Sequence, residues 1–209
     1  WYDAPSGGNL LLSNNPSYTP ATAGTFYAEA KNTTTGCVSI ARAAVTLTLN
    51  ALPPAPVSGG DQTICSNQAN PTLTVTTGNG ETSDWYDAPS GGNLLLSGKT
   101  SYTPVSSGIF YAETRNLNTG CISATRTAVK LTINPLPDAT IGGTAAVCQG
   151  SSSEPVITFT GSGGTAPYTF IYRINTGSFI KLPTPAGQSS ITVSAPTGAA
   201  GVFKYELTS

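Results

Sequence analysis

Short runs of alternating apolar and polar residues, each closed by a glycine, proline or asparagine turn, make up almost the whole chain. In Ala44-Val45-Thr46-Leu47-Thr48-Leu49, Val45, Leu47 and Leu49 fall on one face and Thr46 and Thr48 on the other, which predicts a half-buried strand. The same period of two runs through Gly24–Ala30, with Phe26 and Ala28 opposite Tyr27 and Glu29, and through Thr72–Thr76, with Leu73 and Val75 inward. It returns at Val129, Leu131 and Ile133. Toward the end of the chain, strands are predicted at 155–160, at 168–174 with a hairpin over Asn175-Thr176-Gly177 to 179–182, around Ile191 and Val193, and through Phe203, Tyr205 and Leu207. No segment keeps a helical period of 3.6, so the fold class is all-β.

The strands are organised by a repeat. Trp1-Tyr2-Asp3-Ala4-Pro5-Ser6-Gly7-Gly8-Asn9-Leu10-Leu11-Leu12-Ser13 returns letter for letter at Trp85–Ser97, 84 residues later. Ser17–Pro20, Phe26–Glu29 and Thr35-Gly36-Cys37 return in the same register as Ser101–Pro104, Phe110–Glu113 and Thr119-Gly120-Cys121. The register holds without a gap to Leu52-Pro53 and Leu136-Pro137, with roughly two-thirds of positions identical, so domains are duplicated. Prolines crowd residues 53–56 and 135–137, which predicts short, semi-rigid linkers. Three units follow: a repeat over 1–54 that opens in mid-motif, a complete repeat over 55–138, and a related unit of another subtype over 139–209. The complete unit counts about seven strands, a tandem immunoglobulin-like β-sandwich pattern.

Charged residues are only 9% of the chain and the net charge is −1, so no electrostatic footprint for nucleic acid exists. No run of 18 apolar residues is present to insert in a membrane. Histidine is absent, which removes the commonest general base and transition-metal ligand together. Serines and threonines therefore lack an activating base, and the expectation is that the chain is not an enzyme.

Four candidate features remain. The cysteines are Cys37, Cys65, Cys121 and Cys148, none in C-x-x-C spacing. Cys65 and Cys121 share the one complete unit, so they are expected to form a structural disulfide, with Cys37 and Cys148 paired to cysteines outside the chain. A simple antiparallel path argues against this, because it puts Cys65 and Cys121 at opposite ends of the sandwich and favours bonds between neighbouring units. Glu81, Asp84 and Asp87 form the one local acidic group; the spacing lacks the later bidentate Glu of a calcium loop, so a solvated turn is favoured over a bridging calcium ion and no cofactor is expected. Tyr2, Tyr27, Tyr86 and Tyr111 read either as an aromatic row for sugar rings or, preferably, as cross-strand packing on an outer face. Asn32-Thr33-Thr34 matches a glycosylation acceptor and is given no weight.

The motif Trp-Tyr-Asp-Ala-Pro-Ser-Gly-Gly, followed by Gly-x-Phe-Tyr-Ala-Glu and Gly-Cys-x-Ser, resembles the immunoglobulin-like repeats of Bacteroidota cell-surface proteins. Gly164-Thr165-Ala166-Pro167-Tyr168-Thr169-Phe170-Ile171-Tyr172-Arg173-Ile174-Asn175 resembles the PKD-like repeats found beside them. The resemblance implies a type IX-secreted adhesin of the kind used in gliding motility, located extracellularly at the cell surface. Its partners would be neighbouring repeats and a surface polysaccharide or substratum. The alternative is a carbohydrate-binding or spacer module of a secreted enzyme. No catalytic residue carries over.

Overall fold

The chain, as a computed structural model, is described for residues 1–143 and 145–208, and among these it contains strands and turns without a helix. Strand pairing falls into three groups with no sheet shared between them. The first holds β1 (Gly24–Ala28) and β2 (Ala43–Leu47), an antiparallel pair extended by bridges from Tyr2 to Leu10 and to Tyr27.

The second group is a complete two-sheet sandwich. Its strands are β3 (Val57–Ser58), β4 (Gln62–Cys65), β5 (Leu73–Thr76), β6 (Glu81–Tyr86), β7 (Leu94–Leu96), β8 (Ser101–Tyr102), β9 (Gly108–Asn116) and β10 (Thr127–Asn134). One sheet has the order β4-β10-β9-β6-β7 and the other β3-β5-β8. Two strands, β3 and β8, are only two residues long, and the sequence pattern did not resolve all eight. The chain crosses from the small sheet to the large one at Gly59-Gly60. Gly60 has φ +103°, and a side chain at Gly59 would run into Thr74. This switch lets β4 lie parallel to β10 while the remaining neighbours are antiparallel.

Alternation fills the space between the sheets. Leu73, Val75, Trp85, Phe110, Ala112, Val129 and Leu131 form its core, and Trp85 is fully buried with its indole N–H donating to the Lys99 carbonyl at 2.9 Å. Tyr102 bridges Trp85 and Phe110, with ring centroids 5.7 and 5.3 Å away.

The third group comprises β11 (Asp138–Gly142), β12 (Val156–Ser162), β13 (Thr169–Ile174), β14 (Ile180–Pro183), β15 (Ser190–Ser194) and β16 (Tyr205–Leu207). They form the sheets β11-β12-β15 and β14-β13-β16 around Phe159, Phe170 and Tyr172. Gly143, with φ +121°, repeats the kink of Gly60.

The expected Cys65–Cys121 disulfide is corrected here. All four cysteines are unbonded. Cys65 ends β4 beside Asn134, past the Gly108 end of β9, whereas Cys121 closes a hairpin on Asn116 at the other end. The nine residues of β9 separate them by about 30 Å, far beyond the roughly 7 Å that a disulfide spans. Cys37 and Cys148 are exposed.

Candidate functional site

The repeated motif folds into one device, present in both copies. Alternation sends Trp85 inward and Tyr86 outward at the end of β6, and the chain then turns over Asp87–Asn93. Gly91 and Gly92 take φ +59° and +73°, a pair of left-handed conformations that suits glycine at a tight hairpin turn. Asp87 staples the turn from within: one carboxylate oxygen accepts the Asn93 backbone N–H at 2.7 Å and the other its side-chain amide at 2.8 Å. These bonds hold the Asp87 carboxyl below its usual range.

Arg126, at the foot of β10, closes over this turn. Its Nε donates to Glu113 at 3.0 Å, and one terminal nitrogen donates to the carbonyls of Ala88 and Gly91 at 2.8 and 2.7 Å. The guanidinium carbon sits 3.4 Å from the centre of the Tyr86 ring. Arg126 and Glu113 are about nine-tenths buried. The first copy repeats every contact: Arg42 donates to Glu29 at 3.2 Å and to Ala4 and Gly7 at 2.9 and 2.6 Å, over the Tyr2 ring at 3.3 Å. Asp3 holds Asn9 as Asp87 holds Asn93.

A second ion pair lies on the same outer face. Asp84 accepts from Arg115 at 2.7 and 3.1 Å, from the Ser97 hydroxyl at 2.6 Å and from the Gly98 N–H at 2.7 Å. Burial pushes the Asp84 carboxyl up, but these donors outweigh it and hold it below its ordinary value.

The sequence-predicted residues behave differently from one another. Glu81, Asp84 and Asp87 do not converge. Glu81 accepts the Gly78 N–H, Asp84 pairs with Arg115, and Asp87 staples its turn. No group of three His, Cys, Asp or Glu placed to hold a metal occurs among the described residues. The tyrosines do meet, Tyr86 opposite Tyr111 and Tyr2 opposite Tyr27. Arginine covers Tyr2 and Tyr86, so these two are spacers in a clamp and not open platforms for sugar. Asn32 spends its side-chain oxygen on the N–H groups of Thr34 and Thr35.

Arg42, Arg126, Glu29 and Glu113 were missed in the sequence. Their signal was present: in a chain with nine Lys and Arg in total, one Arg and one Glu recur at the 84-residue register on a strand's outer face. What the site does chemically is hold shape. Arg126 uses its donors on a carboxylate and two carbonyls, which ties the turn to the adjoining strands.

No curated protein matches the sequence significantly. Among solved structures, the chain is similar to the FN1–FN3 domains of chicken CNTN1 at 13% identity, over 88% of this chain and 77% of that one, with a TM-score of 0.29. The model of a Bacteroidetes-type family, the CHU_C-associated Ig-like domain, matches residues 1–50 and 53–135. With more than half of its length matched in the two copies that carry the arginine clamp, the chain belongs to the CHU_C-associated Ig-like domain family.

Proposed function

We propose that the chain is a stretch of stalk from a secreted Bacteroidota surface adhesin, with unit boundaries near residues 54 and 138 and a PKD-like third unit. The observation that carries this reading is where the complete sandwich is entered and left. Pro56, the last linker residue, accepts a hydrogen bond from Thr127 at the start of β10, and the chain departs at Asn134, the end of the same strand. Eight residues of β10 set these points about 25 Å apart, so each unit passes the chain from one pole to the other. Only Pro135-Leu136-Pro137 intervenes before β11. Side chains that elsewhere form sites here lock turns, which suits a part that contributes reach. Surface location belongs to the same reading, with neighbouring repeats as the partners of this stretch and a polysaccharide or substratum as the partner of the whole adhesin to which the stalk gives reach. No helix among the described residues is long and apolar enough to cross a membrane.

The competing reading is a carbohydrate-binding module. A glycan array probed with the intact chain separates the two: the stalk gives no saturable signal on any sugar. Saturable binding that is lost on changing exposed aromatic residues would transfer the function to sugar recognition.

A further inference from the structure

We infer that the cysteines of this repeat join successive units, the thiol at the trailing pole of one, in the place of Cys65, bonding to the thiol at the leading pole of the next, in the place of Cys121. Each complete unit carries one cysteine per pole. Cys65 ends the strand that lies beside Asn134, where the chain leaves. Cys121 closes the hairpin on Asn116, and Leu117 of that hairpin donates to Gly80 in the turn at the leading pole. Cys65 is exposed and Cys121 half-buried, and the length of β9 keeps them from each other. Copies of the same pole-to-pole arrangement bring unlike poles together.

At the junction between the second and third groups, the end of β10 runs directly into the leading side of the next unit. One cavity is lined by Asn134 and Pro135 from the trailing pole and by Gly164, Thr165 and Thr208 from the third group. Residues 163–165 occupy the place of the Gly78–Gly80 turn, since each carries the chain from the middle strand of a three-stranded sheet (β12 or β5) to the next strand in the opposing sheet (β13 or β6). Thr208 follows β16, which pairs with β13 as β9 pairs with β6. The strand that leads into the Cys121 hairpin of the complete unit thus has its counterpart in β16, and Leu207 and Thr208 line the same cavity as Asn134, the strand partner of Cys65. Two thiols lose two protons and two electrons in forming the bond; a low-molecular-weight disulfide such as oxidised glutathione takes them and leaves as two thiols.

This proposal rests on the end-to-end order of the stalk reading, and the test keeps the two apart. In the intact chain, Thr165→Cys and Thr208→Cys each place a fifth thiol on the third group's side of the junction. Both positions are at or near the surface, and unchanged circular dichroism confirms folding. Equilibrated with oxidised and reduced glutathione, at least one variant should fall from five reactive thiols to three, and peptide mapping without reductant should join the new cysteine to Cys65. The parent chain should keep all four thiols. A Cys65–Cys121 bond in the parent, or five surviving thiols in both folded variants, overturns the proposal. The stalk reading fails separately, on a compact chain in scattering.

Discussion

Arg126 acts on three partners with one side chain: a buried carboxylate, two turn carbonyls and an aromatic face. Arg126→Ala leaves Glu113 buried without a counter-charge and should destabilise the complete unit by about 3 kcal/mol, read from urea unfolding of the intact chain. Arg126→Lys should recover only part of this, because one ammonium cannot reproduce the planar fork that reaches both Glu113 and the carbonyls. Equal stability of the Ala variant and the parent would show the clamp to be ornamental. The two turn glycines should differ. Gly91 has open space where a Cβ would go, so Gly91→Ala costs only the left-handed strain, about 1 kcal/mol. At Gly92 the added Cβ meets the Ala88 Cβ at 2.7 Å as well as Asp87, so Gly92→Ala should cost clearly more. Asp84 sets a pH dependence. Its folded carboxyl titrates below the ordinary value near 3.8, so its stabilisation is complete above that value and is lost as acid takes the pH down through the lowered one. Asp84→Asn should flatten the acid limb of the stability curve below about pH 4. Asp3, Asp87 and Glu206, also lowered, remain in both proteins as the background. An acid limb of unchanged slope would exclude Asp84 as a contributor.

The strands themselves were legible because alternation is local information. β5, β9, β10, β12 and β13 lie within a few residues of where the period of two puts them. Burial was legible only in part. Val45 and Val129 occupy the same place in the repeat, on strands of nearly the same sequence, yet Val129 is fully buried and Val45 is 53% exposed. The difference is the opposing sheet: β3, β5 and β8 cover β10, whereas the first group pairs β2 only with β1. Hydrophobic stabilisation belongs to that covering and not to the strand. Val129→Ala should therefore cost about 2 kcal/mol, and Val45→Ala less than about 0.5 kcal/mol. Comparable losses at both positions would mean that something covers β2 in solution. The cysteine pairing was not legible from unit membership alone, because a strand's length decides whether two loops meet, and β9 carries Cys121 away from Cys65. The clamp escaped for a related reason. A two-residue alternation assigns Glu113 and Arg126 to the solvent face, while the turn that buries them arrives from residues 87–93, far along the sequence.

At the scale of the whole molecule, the linkers decide the shape. A chain of 209 residues folded as a single globule would have a radius of gyration of about 17 Å. Units that pass the chain from pole to pole through proline-rich connections of a few residues should instead extend it. With about 25 Å contributed by β10 and turns added at each pole, three successive units should reach a maximum dimension of about 100 Å. A uniform rod of that length has a radius of gyration near 30 Å by geometry alone, almost twice the globular value. Small-angle scattering on the intact chain distinguishes the two directly. The extended form should also persist from low to high salt, because a net charge of −1 and a charged fraction of 9% leave little repulsion to screen. A radius near 17 Å would mean that the units fold back on one another, and the stalk reading would fail. A rod that contracts as salt is added would instead trace the extension to charge repulsion and not to the prolines of the linkers.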